Sequence, residues 1–81
     1  MIIGIKDVEY INKFNVKLIF DNNEEKIVDL SNHINGKIFE PLNNIDYFKK
    51  VRIDNDTETI CWDNGADFSP EFLYEIGVWR F

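Results

Sequence analysis

Asp63 and Asp67 stand four residues apart around Gly65. Two carboxylates so placed could hold a divalent cation or divide acid and base roles between them. A calcium loop needs further oxygen ligands at set spacings, and no such series surrounds this pair. Local structure accounts for both: Asp67 would accept backbone amides at the loop or helix start, and Asp63 would help fix the turn after Trp62. His33, the only histidine, lies two residues from Ser31 in a short polar turn, which superficially offers a base and a nucleophile. Residues two apart rarely converge in those roles, and neither a third member nor an oxyanion hole is identifiable. Cys61 has no cationic neighbour in sequence and adjoins Trp62 in a β-rich segment, as an inert packed thiol would. No catalytic, cofactor-binding or metal-ligating residue is therefore assigned.

Most of these groups fall in one stretch, Ile60 to Tyr74, which begins as a strand and ends as a helix. Asn64-Gly65 marks a sharp turn, since glycine permits a positive φ that other residues resist. Ser69 fits an N-cap and Pro70 the first helical position: a serine oxygen can accept an orphan helix amide, and proline has no amide to leave unpaired. Trp62, Asp63, Asn64, Gly65, Asp67, Ser69 and Pro70 thus form a structural motif rather than a reactive one.

The elements that must position this motif can be read in order. Ile3, Ile5, Val8, Tyr10 and Ile11 alternate with a slip of phase between Ile5 and Val8, as a strand with a bulge would. Phe14, Val16, Leu18 and Phe20 take one face of a second strand, leaving Asn15, Lys17 and Ile19 on a mostly wet face. Asp21-Asn22-Asn23 is a hairpin turn into a third strand around residues 26–29. Leu30 to Gly36 has the pattern of a single helical turn, and Pro41 restricts Ile38, Phe39 and Leu42 to a compact link. Asn44 caps a short helix that places Ile45 and Phe48 on one face. Val51-Arg52-Ile53 and Thr57 to Trp62 form a second hairpin around Asp54-Asn55-Asp56. The last helix runs from Pro70 to about Ile76, with Phe72, Leu73 and Ile76 on one stripe and Gly77 as its C-cap. The expected fold is α+β, one domain over residues 1–81, with an antiparallel meander, a second hairpin, two or three short helices and the C-terminal helix on the sheet.

Composition narrows the function classes. A chain of 81 residues, 44% hydrophobic and 15% aromatic, supports one thin core. Nine Lys and Arg oppose fifteen Asp and Glu, for a formal charge of -6 and a pI near 4.6. A nucleic-acid duplex demands clustered cations, and only Lys49, Lys50 and Arg52 approach a cluster. A basic protein is the better electrostatic match. The single cysteine permits no intramolecular disulfide and fits a reduced compartment. The first residues meet charge too soon for a signal peptide, and no apolar run approaches the ~20 residues that cross a bilayer. A soluble, cytoplasmic protein is expected.

Two groups could bind a partner. Glu24, Glu25, Asp54 and Asp56, with Asp21 and Glu58, cluster at the two hairpin turns. If both turns lie on one side they make an acidic patch. Trp79 and Phe81, beside Arg80, could form a docking segment or fold back onto the sheet. An open edge strand would also permit a homodimer.

The Asp29-Leu30 step after the meander, Phe39-Glu40-Pro41-Leu42, Phe48 before Val51-Arg52, and Trp62-Asp63-Asn64-Gly65-Ala66-Asp67 with Ser69-Pro70 and Leu73-Tyr74 resemble a bacterial family. It is catalogued as domain of unknown function twenty-four forty-two, and the resemblance spans about Val8 to Tyr74. It implies a compact α+β fold, a cytosolic bacterial or phage-related origin and a gene neighbour encoding a small toxin-like domain, hence an antitoxin role. Some relatives carry a C-terminal helix-turn-helix, whereas this sequence ends at Phe81, so DNA-binding autorepression is not expected. The resemblance supplies no catalytic residues. The expected function is a non-enzymatic interaction module that restrains a small basic toxin-like protein. The alternative is a ligand-binding or sensor domain whose Trp62 to Ser69 loop lines a pocket.

Overall fold

Alternation in the second strand is what the rest of the fold is built on. In the computed structural model, which describes residues 3–79, β2 (Asn15–Phe20) buries Val16, Leu18 and Phe20 completely and leaves the intervening residues half-buried. It pairs antiparallel with β1 (Ile5–Asn12) on one side and β3 (Glu25–Asp29) on the other. The slip of phase in β1 is present as a register shift between Ile5 and Asp7, so that Ile5, Val8 and Tyr10 all meet buried partners on β2. At the β2–β3 turn Asn23 takes φ 68°, a left-handed conformation that asparagine tolerates, and Asn22 Oδ1 accepts the amide of Glu24 at 3.0 Å.

A fourth strand, β6 (Val78–Trp79), extends this sheet in the order β1-β2-β3-β6 by pairing antiparallel with β3. The second hairpin, β4 (Arg52–Asp54) with β5 (Thr59–Cys61), forms a separate two-stranded sheet. Two short helices complete the architecture, α1 (Ile45–Phe48) and α2 (Pro70–Ile76), with a 3-10 turn over Glu40–Asn43. Asn44 caps α1 through Asp46, and Pro41 sits at the start of the 3-10 turn. The core lies between the inner face of the four-stranded sheet and the remaining elements. There Leu30, Leu42, Phe48, Ile60, Trp62 and Leu73 meet Val16, Leu18, Phe20 and Val28.

Three local details differ from the sequence expectation. Leu30 to Gly36 contains one hydrogen-bonded turn, His33 N to Leu30 O at 2.9 Å, and no helix, because Asp29 Oδ1 takes the amide of Ser31 and holds the chain in an Asx turn. Thr57 and Glu58 belong to the second hairpin's turn rather than to its strand. There the Glu58 amide reaches Asp54 O at 2.7 Å with φ 57°. Gly77 ends α2, but with φ -69° it is not a left-handed cap. Glycine is needed there for space: a Cβ would stand 3.0 Å from Leu73 O and from Cβ and Cδ of Lys26.

Candidate functional site

The Trp62 to Ser69 loop is held by its own polar groups. Gly65, at φ 89°, lets its amide reach Trp62 O and lets the Trp62 amide reach Ala66 O, both at 3.0 Å. The side chain that fixes this turn is Asn64, whose Oδ1 accepts the Ala66 amide at 3.0 Å and whose Nδ2 donates to Ile38 O at 2.8 Å. Asp63, expected in that role, instead lies 3.4 Å from Arg52 Nε across the β4–β5 hairpin, with both side chains largely exposed. Asparagine does the work because it both donates and accepts, which a carboxylate cannot do. Asp67 contributes its backbone, in an isolated antiparallel bridge to Cys61. Ser69 caps α2 by accepting the Phe72 amide at 3.4 Å, and its hydroxyl donates to Glu71 at 2.8 Å. That hydroxyl, ahead of the amide of Glu71 itself, holds the Glu71 carboxyl below its ordinary pKa.

The loop's apolar residues face inward. Trp62 is buried, donating its indole N–H to Phe48 O at 3.0 Å, and Ala66 and Phe68 join the same core. Thr59 Oγ1 donates to Phe68 O at 2.6 Å. Among the described residues no pocket opens beside the loop, and no three metal-ligating side chains converge.

His33 and Ser31 do not meet as base and nucleophile. His33 sets its ring edge-on to Phe72, 5.1 Å between centroids. Ser31 serves Asp29, lowering that carboxyl's pKa first through its amide and then through its hydroxyl. Cys61 is buried, and burial pushes its thiol up against a smaller opposing effect of Arg52. Each pH unit of such a rise lowers the thiolate fraction at neutral pH about tenfold. A disulfide-based thiol reagent is therefore expected to label native Cys61 slowly and the denatured chain within its ordinary reaction time. Equal rates in the two states would show the thiol to be accessible.

The residues singled out for partner binding are placed unevenly. The two acidic turns do lie together, on either side of Gly4. Its amide donates to Asp21 Oδ2 at 3.1 Å, its carbonyl accepts the Asp21 amide at 2.9 Å, and a Cβ on it would stand 3.0 Å from that of Glu58. Asp21, Asp56 and Glu58 are exposed there. Three of the four named acids have work within the fold. Glu24 accepts the Tyr74 hydroxyl, which raises the tyrosine's pKa, and Glu25 lies 3.8 Å from Lys17 Nζ. Asp54 accepts the Asp56 amide at 2.9 Å.

Trp79 both folds back and remains visible: it pairs with Lys26 in the sheet, yet half its surface is exposed. Phe81 and Arg80 lie outside the described residues. What sequence reasoning missed is Lys26, 6% exposed, whose ammonium donates to Tyr74 O at 2.6 Å and lies over the rings of Tyr74 and Trp79 at 3.7 and 4.8 Å. Its placement opposite Leu18 on the buried face of β3, between Val28 and the turn, was the available signal.

Fold and site together define a small α+β module of net charge -6 whose loop is fixed by Asn64 and packed into the core. The chain belongs to the family described as Protein of unknown function (DUF2442), whose model matches residues 5–78. Neither a curated protein nor a solved structure is similar enough to count as a match. No helix among the described residues is long and apolar enough to cross a membrane.

Proposed function

We propose that this chain is a non-enzymatic, cytoplasmic protein-interaction module, antitoxin-like, that neutralises a small basic protein encoded nearby. The observation that supports it is the meeting of the two acidic turns around Gly4, which gathers Asp21, Asp56 and Glu58 at one end of a chain of charge -6. A field of one sign attracts a partner of the other and accelerates encounter. The alternative of a ligand-binding or sensor domain has less behind it, because Trp62, Ala66 and Phe68 of the loop fill the core instead of lining a pocket.

Co-expression with the protein encoded beside it tests this reading. Co-purification and relief of growth arrest are expected. The double variant Asp56→Lys/Glu58→Lys should slow association by about tenfold or more at low salt, and less as salt is raised. No complex and no effect on growth would remove the proposal.

A further inference from the structure

Among the described residues the hydrophobic core lies on one face of the four-stranded sheet, and the residues of the second face are half-buried to exposed. Side chains alternate across a sheet, so the residues between the buried ones point away from the core. The register sorts them into rows: Asp7, Ile19 and Glu25; then Glu9, Lys17, Ile27 and Val78; then Asn12, Asn15 and Asp29. Ile19 and Ile27 are half-buried yet belong neither to the core nor to the hydrophobic residues packed against it, and Val78 is 63% exposed. Ile27 is directly opposite Val78 and diagonal to Ile19, a spacing of about 7 Å in sheet geometry. The three make an apolar ridge across β2, β3 and β6. Single exposed apolar residues are ordinary, but a ridge that is continuous over three strands and rimmed by charge is what docking surfaces show.

The rim says what would cover it. Asp7, Glu9, Glu25 and Asp29 surround the ridge, and the one ammonium among them, Lys17, is already divided between Glu9 at 3.5 Å and Glu25 at 3.8 Å. Lys6, beside Asp7, is turned to Asn23. A second copy would press like charges together, and phosphate-bearing surfaces would be repelled. A basic protein segment would satisfy both the ridge and the rim.

We propose that this second face is a docking surface and that its occupant is a basic segment of a protein partner, apolar along Ile19, Ile27 and Val78 and bearing Lys or Arg on its flanks. This rests on the reading of the chain as an interaction module but adds that the sheet face makes the contact, while the acidic turns act on the rate of encounter.

The probe is a synthetic amphipathic helical peptide with a leucine stripe flanked by lysines, set against the same stripe flanked by glutamates. Each is titrated into the isotope-labelled full chain and followed by amide shifts. The lysine peptide should move Lys17, Ile19, Glu25, Ile27 and Val78, and the glutamate peptide should not. Ile27→Lys and, independently, Ile19→Lys should weaken binding by about tenfold or more while the spectrum stays dispersed, since neither side chain is in the core. Shifts confined to the turns, equal binding of both peptides, no binding at millimolar peptide, or a dimer that shields this face would each overturn the proposal. Carrying Ile27→Lys into the co-expression experiment separates the two claims. A complex that survives it intact overturns the docking face and leaves the interaction module standing. Absence of any neighbour complex removes that module's proposed role while the peptide titration still judges the face.

Discussion

Trp62→Ala is expected to remove a large share of the chain's stability. The indole is 1% exposed and packs against Phe48 and Phe68, with ring centroids 5.5 and 6.0 Å away. Truncating a buried aromatic of this kind costs about 3–5 kcal/mol, through lost transfer energy and the cavity left behind. The variant also removes one of the two donors to the Phe48 carbonyl, the indole N–H at 3.0 Å, leaving the Val51 amide at 3.2 Å. Small domains have about 0.05–0.15 kcal/mol of stability per residue, or about 4–12 kcal/mol for 81 residues, of which this loss is a quarter or more. Trp62→Phe separates the two contributions. It keeps most of the packing, loses the indole N–H while the Val51 amide still serves the carbonyl, and should cost about 0.5–1.5 kcal/mol, the usual net contribution of one hydrogen bond. Far-ultraviolet dichroism and urea midpoints check both. A Trp62→Ala chain that unfolds cooperatively near the wild-type midpoint would mean that the core does not depend on this residue. Loss of partner binding in Trp62→Ala, by the same reasoning, reports on folding and not on contact.

How far the sequence could be read depended on whether a residue's role is local. Val16, Leu18 and Phe20 declare a half-buried strand by spacing alone, and Ser69-Pro70 declares a helix start by stereochemistry within one turn; both are as expected. Leu30 to Gly36 differs from the expected helical turn because an Asx turn and a helix start use the same residue types, and only the Asp29 to Ser31 hydrogen bond separates them. Thr57 and Glu58 have β-favouring neighbours, but the Asp54 carbonyl captures the Glu58 amide and spends both residues on the turn. Asp63 and Asn64 were equally eligible to fix the loop, and the choice fell on Asn64 because Ile38 O, 26 residues away in sequence, needs a donor. The second face is half legible in the sequence, since spacing puts Lys17 and Ile19 on the wetter side of β2. That Ile19, Ile27 and Val78 adjoin required the cross-strand register, which no single strand encodes.

Lys26→Met is expected to loosen the far edge of the sheet more than its middle. The Lys26 ammonium joins three elements: its own strand β3, the last turn of α2 through Tyr74 O, and β6 through the Trp79 ring. Carbonyls at a helix C-terminus lack intrahelical partners, and the helix dipole favours a cation there. A hydrogen bond from a charged donor contributes about 1.5–3 kcal/mol and a partly desolvated cation–π contact about 0.5–2. Methionine preserves the length and packing of the stem and removes both. Against that loss stands the relief of no longer desolvating a charge on a residue only 6% exposed, and replacing buried ions by apolar groups can be neutral or stabilising. The ammonium here is not stranded, since one carbonyl and two ring faces surround it, so the loss should prevail and the net cost should be about 1–2 kcal/mol. Its distribution is the sharper test. Amide exchange at Ile27, Val78 and Trp79 should quicken well before that of Val16 and Leu18, because β6 is only two residues long and the chain entering it packs so closely on the Lys26 stem that a Cβ on Gly77 would stand 3.0 Å from it. A Lys26→Met chain that gains stability, with exchange at β6 unchanged, would show that desolvation outweighs these contacts and that the lysine is held there for something other than the fold.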